Sequence, residues 1–286
     1  SLNLCNILTG SEGTLAISTK IKLKLDNLPP KYESLVILHF NSISDCLNAV
    51  NLVMTHDLYS CEMLDKTILD LTKHNKQQLS NRAFLVEDPE AILMCELRAN
   101  SNNELHKQLQ LFLHDIKSNS PAFAYPALNG SEKDKAIDLR KAGLGLLGNM
   151  IGDHKAVACI EDSAVSLEDL PAYINEFSLL MKRFNQKPVY YAHAGAGELH
   201  LRPVLNLKLP SDVQQFKSIT KEVAKLVKKY NGSLSGEHGN GIVRSEFIPF
   251  MLGNDVYEIL KHIKYLFDPK NIFNPGKIID AAPMDS

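Results

Sequence analysis

The chain has 286 residues, 44% hydrophobic and 22% charged, enough to bury a sizeable core with room for a second small unit. Its 31 basic and 33 acidic residues leave a formal charge of −2, which excludes a broad electrostatic attraction for nucleic acid or an anionic membrane. The five cysteines, Cys5, Cys46, Cys61, Cys95 and Cys159, lack the C-x-x-C spacing of zinc or iron–sulfur sites and read as buried free thiols in a reducing compartment.

The opening Ser1-Leu2-Asn3 has neither an initiator Met nor the pattern of a signal peptide, so the chain reads as trimmed from something longer. No apolar run approaches the roughly 20 residues that cross a bilayer, and a cytoplasmic location is expected. Leu15, Ile17, Thr19, Ile21, Leu23 and Leu25 alternate with mostly polar neighbours, the period of a half-buried strand, which Pro29-Pro30 stops. Residues 1–30 are therefore expected to be the tail of one domain and residues 31–286 another.

In the second unit, strands are predicted over 35–40, 58–64, 91–97 and 122–127. Helices are predicted over about 44–55 and after Ser101-Asn102-Asn103-Glu104, whose polar side chains can cap free N–H groups. The same order recurs, with a strand over 156–161, a helix over about 167–184, strands over 188–193 and 199–205, and a helix over about 211–230. Two rounds of split β-α-β order predict an α+β fold, an antiparallel sheet with helices on one face in a duplicated ferredoxin-like arrangement. The duplication rests on element order, since no residue-level repeat accompanies it.

The most informative segment is His193-Ala194-Gly195-Ala196-Gly197-Glu198-Leu199-His200. In one straight strand, histidines seven apart face opposite ways. If Ala196-Gly197 form a hairpin turn, His193 and His200 become direct cross-strand partners with Cβ atoms about 5 Å apart, close enough to share a divalent metal. The plainer alternative is a pair of surface histidines beside a glycine turn.

After the last predicted helix comes Asn231-Gly232-Ser233-Leu234-Ser235-Gly236-Glu237-His238-Gly239-Asn240-Gly241. Glycines allow a backbone to approach a ligand closely. Glu237 as a third ligand completes a His₂Glu set with an open position, the pattern of a catalytic zinc site, and His238 is then free to act as a base. The alternative is a flexible loop with an incidental Glu-His pair.

Four stretches, in order, resemble the flavin-linked oxidases of the vanillyl-alcohol-oxidase type, in the branch of D-lactate, glycolate and D-2-hydroxyglutarate dehydrogenases. They are Gly10-Ser11-Glu12-Gly13-Thr14-Leu15, the His193–His200 hairpin, the Ser235–Gly241 loop, and Asp268-Pro269 followed by Asn274-Pro275-Gly276-Lys277. The resemblance implies zinc or a similar divalent metal on His193, His200 and Glu237, and His238 as base while hydride passes from the substrate α-carbon to FAD. It implies Arg140 and Lys155 on the substrate carboxylate, and Gly10, Ser11, Glu12, Gly13, Thr14 and Asn274 near the flavin.

Ala196 and Glu198 depart from the residues many relatives carry. Arg202 stands where some have a smaller polar side chain, and reads either as a second carboxylate clamp favouring a dicarboxylate or as a surface charge. The family's main flavin-binding stretches precede Gly10, so the chain alone is expected not to retain FAD and to need the missing FAD-binding portion of its parent. Residues 140–162 also resemble large bacterial members with an added iron–sulfur domain, whose cysteine cluster is absent here.

The expected partners are a 2-hydroxyacid and an electron acceptor that the sequence does not identify, through which the protein could sit at a membrane periphery; a homodimer is compatible with the sequence. Two other classes stay open: a zinc-dependent hydrolase, and a non-enzymatic metal-binding or assembly module.

Overall fold

Residues 3–286 are described by the structure, a computed structural model. A short helix, α1 (Leu4–Leu8), is capped by the Asn3 side chain, which accepts from the Cys5 N–H. The strand expected over 15–25 does not form. Leu15 is buried, but Ile17, Ile21, Leu23 and Leu25 are 75, 70, 74 and 83% exposed. Alternation supplies an apolar face, but a strand also needs a hydrogen-bonding partner and a surface to cover, and this segment has neither among the described residues.

The following elements are β1 (Tyr32–Phe40), α2 (Ile43–Val53), β2 (Ser60–Asp65), α3 (Lys66–Lys73), β3 (Ala91–Ala99), α4 (Asn102–Asn119), β4 (Ala127–Leu128) and α5 (Gly130–Gly148). Then come β5 (Lys155–Ala156), β6 (Ile160–Ala164), α6 (Leu170–Arg183), β7 (Val189–His193), β8 (Glu198–Arg202), β9 (Val204–Leu205) and α7 (Pro210–Lys229). The chain ends with α8 (Gly241–Arg244), α9 (Ile248–Leu252) and α10 (Asn254–Phe267). The caps read from sequence are in place, with Ser101 Oγ accepting from the Glu104 N–H at 3.2 Å.

Seven strands form one antiparallel sheet in the order β4-β1-β3-β2-β7-β8-β6, so the two rounds of strand and helix join through β2 and β7. Helices α2, α4, α6 and α7 bury their apolar stripes on one face, as expected. On the other face α3 and α5 add a second, smaller core with Leu35, Ile37, Ile92 and Met94. Cover on both sides is why β1 and β3 read as nearly continuous apolar runs.

Prolines explain several shortened strands, because each lacks the N–H that a ladder needs. The strand expected over 122–127 shrinks to β4 and one bridge, His39 to Ala124, in a stretch containing Pro121 and Pro126. The strand expected over 199–205 splits into β8 and β9 at Pro203. Cys46, Cys61, Cys95 and Cys159 are buried and unpaired, while Cys5 is exposed. No helix among the described residues is long and apolar enough to cross a membrane.

Candidate metal and substrate site

Strands β7 and β8 meet through four residues, 194–197, rather than the two-residue turn read from sequence. Ala194–Ala196 form a 3₁₀ turn and Gly197 closes it at φ +67. A Cβ on Gly197 would stand 2.1 Å from the Val165 carbonyl oxygen, so the corner accepts only glycine without moving. His193 consequently faces Glu198, and His200 faces Tyr191. The expected direct pairing is wrong by two positions, but two is the side-chain period of a strand. Both imidazoles stay on one face, with ring centroids 5.2 Å apart.

That face is the one covered by α5. Glu237 reaches over it from the loop after α7, its Oε1 lying 3.5 Å from His193 Nε2, 3.7 Å from His200 Nε2 and 3.3 Å from His238 Nε2. Ligand atoms of His193, His200 and Glu237 all lie within 4.8 Å of one another. Glu161, His200 and His238 form an overlapping group by the same measure.

A carboxylate stands behind each hairpin imidazole. On β2, Glu62 Oε2 is 3.0 Å from His193 Nδ1, and on β6, Glu161 Oε1 is 3.5 Å from His200 Nδ1. The hydrogen bond that Glu62 accepts holds the His193 imidazole above its usual range, whereas burial pushes His200 below it. His200 Nδ1 and Glu198 Oε1 are buried without hydrogen-bond partners. Two nitrogens and a carboxylate oxygen converging from one side, with Glu62 hydrogen-bonded to the His193 ring and Glu161 beside that of His200, fit a divalent metal of the zinc type.

The cluster lines a cavity of about 160 Å³, with Leu144 and Leu147 of α5 as its apolar wall and Arg202 at its edge. Arg202 donates to Glu161 at 2.7 Å. Arg140, from α5, pairs with Glu62, lies 3.3 Å from His193 Nδ1 and covers the Tyr191 ring at 4.9 Å. Lys155 is exposed on β5 and its ammonium donates to the Met150 carbonyl, and neither Lys155 nor Arg140 is among the residues lining the cavity.

The loop carrying Glu237 and His238 is clamped from three sides. Asp162 accepts from the N–H groups of Glu237 and His238 at 2.7 and 2.9 Å. Buried Arg244 donates to the carbonyls of Glu161, Leu234 and Gly239. Glu12 accepts from the N–H groups of Asn240 and Gly241 at 2.6 and 2.8 Å. None of Glu62, Glu161, Asp162 or Arg244 was singled out from the sequence, because each sits in a stretch without a motif and is brought in by sheet order or by a single long contact.

The Gly10–Thr14 segment and Asn274 meet, as the side chain of Asn274 donates to the Glu12 carbonyl at 2.6 Å. Lys264 ties them together, donating to the carbonyls of Thr14 and Phe273 at 2.7 Å and pairing with Asp268. The polar groups of Glu12 and Asn274 are thus engaged with protein, whereas the space in front of the Gly10 and Gly13 α-carbons is open for 4 Å. Gly10, Ser11, Glu12 and Thr14 line a separate cavity of about 620 Å³, while the Glu12 carboxylate also supports the loop.

The family of FAD linked oxidases, C-terminal domain, matches residues 29–278. D-2-hydroxyglutarate dehydrogenase of Pseudomonas putida is 34% identical over 292 residues, covering 99% of this chain and 28% of that protein. The enzyme of the same name from Haemophilus influenzae is 35% identical over 294 residues, with the same two coverages. The chain thus spans less than a third of the length of these relatives. Among solved structures, 4-ethylphenol oxidase from Gulosibacter chungangensis superimposes with a TM-score of 0.63 at 11% identity, covering 87% of this chain and 54% of that one; this likeness concerns the fold.

Proposed function

Because the chain belongs to the family of FAD linked oxidase C-terminal domains, we propose that it forms the substrate- and metal-binding part of an FAD-dependent dehydrogenase that oxidises a D-2-hydroxyacid to the 2-oxoacid. The observation that carries this reading is the convergence of His193, His200 and Glu237 within 4.8 Å on one wall of a small cavity. Relatives named D-2-hydroxyglutarate dehydrogenase support the substrate class. The activity is proposed for the whole protein, with residues 1–30 assigned to its FAD-binding domain and residues 31–286 to the domain described here.

When bound, a divalent metal supplies the Lewis acidity that lowers the pKa of the substrate hydroxyl, and FAD accepts hydride. His193 Nε2, His200 Nε2 and Glu237 are the residues assigned to the metal, the His193 ring being held by Glu62. His238, whose Nε2 borders the same carboxylate at 3.3 Å, is assigned to take the hydroxyl proton. Arg202 and Arg140 are the cations available for the substrate carboxylate, and each must loosen its bond to Glu161 or Glu62 to engage it. Leu144 and Leu147 keep that wall free of competing polar groups.

Metal analysis of the purified chain is expected to find one zinc or similar ion. In the whole flavoprotein, His238→Ala is expected to abolish dye reduction by D-2-hydroxyacids at unchanged flavin content. Zinc-dependent hydrolysis without flavin, or full dye reduction in the variant, overturns the assignment.

A further inference from the structure

Glu237 and His238 are 49 and 55% exposed at their side chains, so packing does little to fix their direction. Their direction must come from the backbone, and the backbone of this loop converges on one acid. Asp162 is fully buried. Its Oδ1 accepts from the Glu237 N–H, its Oδ2 accepts from the His238 N–H and the Ser235 hydroxyl, and its own carbonyl accepts from the Gly236 N–H at 2.7 Å. Three consecutive N–H groups therefore close around a single residue, two of them on its carboxylate, an arrangement suited to a fixed negative charge.

The position of that charge depends on a defect in the sheet. The β6–β8 register shifts between Glu161 and Ser163, and Asp162 sits there at φ +70. In a regular strand neighbouring side chains diverge to opposite faces. The bulge lets Glu161 face His200 while Asp162 takes hold of the loop above it. Gly236 fits because a Cβ there would meet Asp162 Oδ1 at 3.1 Å and Glu198 at 3.2 Å.

We propose that Asp162 is a positioning residue that sets the orientation of Glu237 toward the metal and of His238 toward the substrate, an inference that rests on the metal assignment above. Asp162→Asn places an amide N–H₂ against at least one of these donors. Zinc affinity, measured by chelator competition on the full chain, is expected to fall about 10–100-fold, and the visible absorption of the cobalt(II)-loaded protein is expected to change. Ser235→Ala, which removes one donor to Asp162 together with the hydroxyl that accepts from the Gly239 N–H at 2.7 Å, is expected to move both readouts the same way by a smaller factor, and unchanged readouts in it overturn the proposal if Asp162→Asn does not fold. Wild-type affinity and an unchanged cobalt spectrum in the folded variants overturn the proposal, even if the metal-free protein melts lower. Absence of stoichiometric zinc from the wild type instead overturns the metal assignment itself.

Discussion

The rings of His193 and His200 stand 5.2 Å apart although the residues are offset by two places in the β7–β8 ladder. With each Nδ1 turned toward an acid, Glu62 for one and Glu161 for the other, both Nε2 atoms face Glu237. This division of nitrogens gives each ring a defined donor for a metal.

His193→Ala and His200→Ala are each expected to remove stoichiometric zinc. In the wild type, free zinc at about 100 times its dissociation constant should raise stability by about 2.7 kcal/mol. That gain should be absent from both variants in melts with and without zinc.

Glu62→Gln keeps the shape of the side chain but weakens its hold on His193 Nδ1. Zinc affinity is expected to drop about 10-fold or more by chelator competition. Retained affinity would mean that the ring is oriented by its packing alone.

Glu198 supplies a pH signature in the metal-free protein. Burial, a shared hydrogen bond with Asp162 and the charge of Glu237 push its carboxyl up from 4.5 to about 7. The folded protein therefore retains a proton that the unfolded chain releases between those values, so this contribution is full below pH 4.5 and is lost as pH rises through 7. Glu198→Gln, which stays neutral, is expected to melt a few degrees above wild type at pH 8 and at the same temperature at pH 4.5. Equal differences at both pH values would count against this account.

Arg140 and Lys155 separate in the structure, one against Glu62 and His193, the other on the Met150 carbonyl. In the whole flavoprotein, Arg140→Ala is expected to raise the KM for the hydroxyacid about 10-fold or more, the size of a lost charge-assisted hydrogen bond. Lys155→Ala should leave KM unchanged in the same assay.

The sequence was most legible where one local pattern carries the information. Period and caps located α2, α4, α6 and α7, and the glycine-rich segments led to His193, His200, Glu237 and His238. It was least legible where distance along the chain is large. Glu62 reaches His193 because β2 pairs with β7, and Asp162 reaches the loop through a bulge, neither of which has a signature in neighbouring residues. The expected strand over 15–25 failed for a related reason, since alternation reports a face without naming what it lies against. The hairpin survived an error in turn length because a slip of two leaves side-chain direction unchanged.

The exposed apolar stripe of Ile17, Ile21, Leu23 and Leu25 is expected to set how the purified chain behaves as a colloid. Unpaired backbone and aliphatic side chains presented together recruit neighbouring molecules, and sulfate strengthens that attraction. Light scattering should register growing particles as protein or sulfate concentration rises. Ile21→Lys with Leu23→Lys should suppress that growth while zinc affinity stays as it was, since these positions lie apart from the cavity lined by His193, His200 and Glu237.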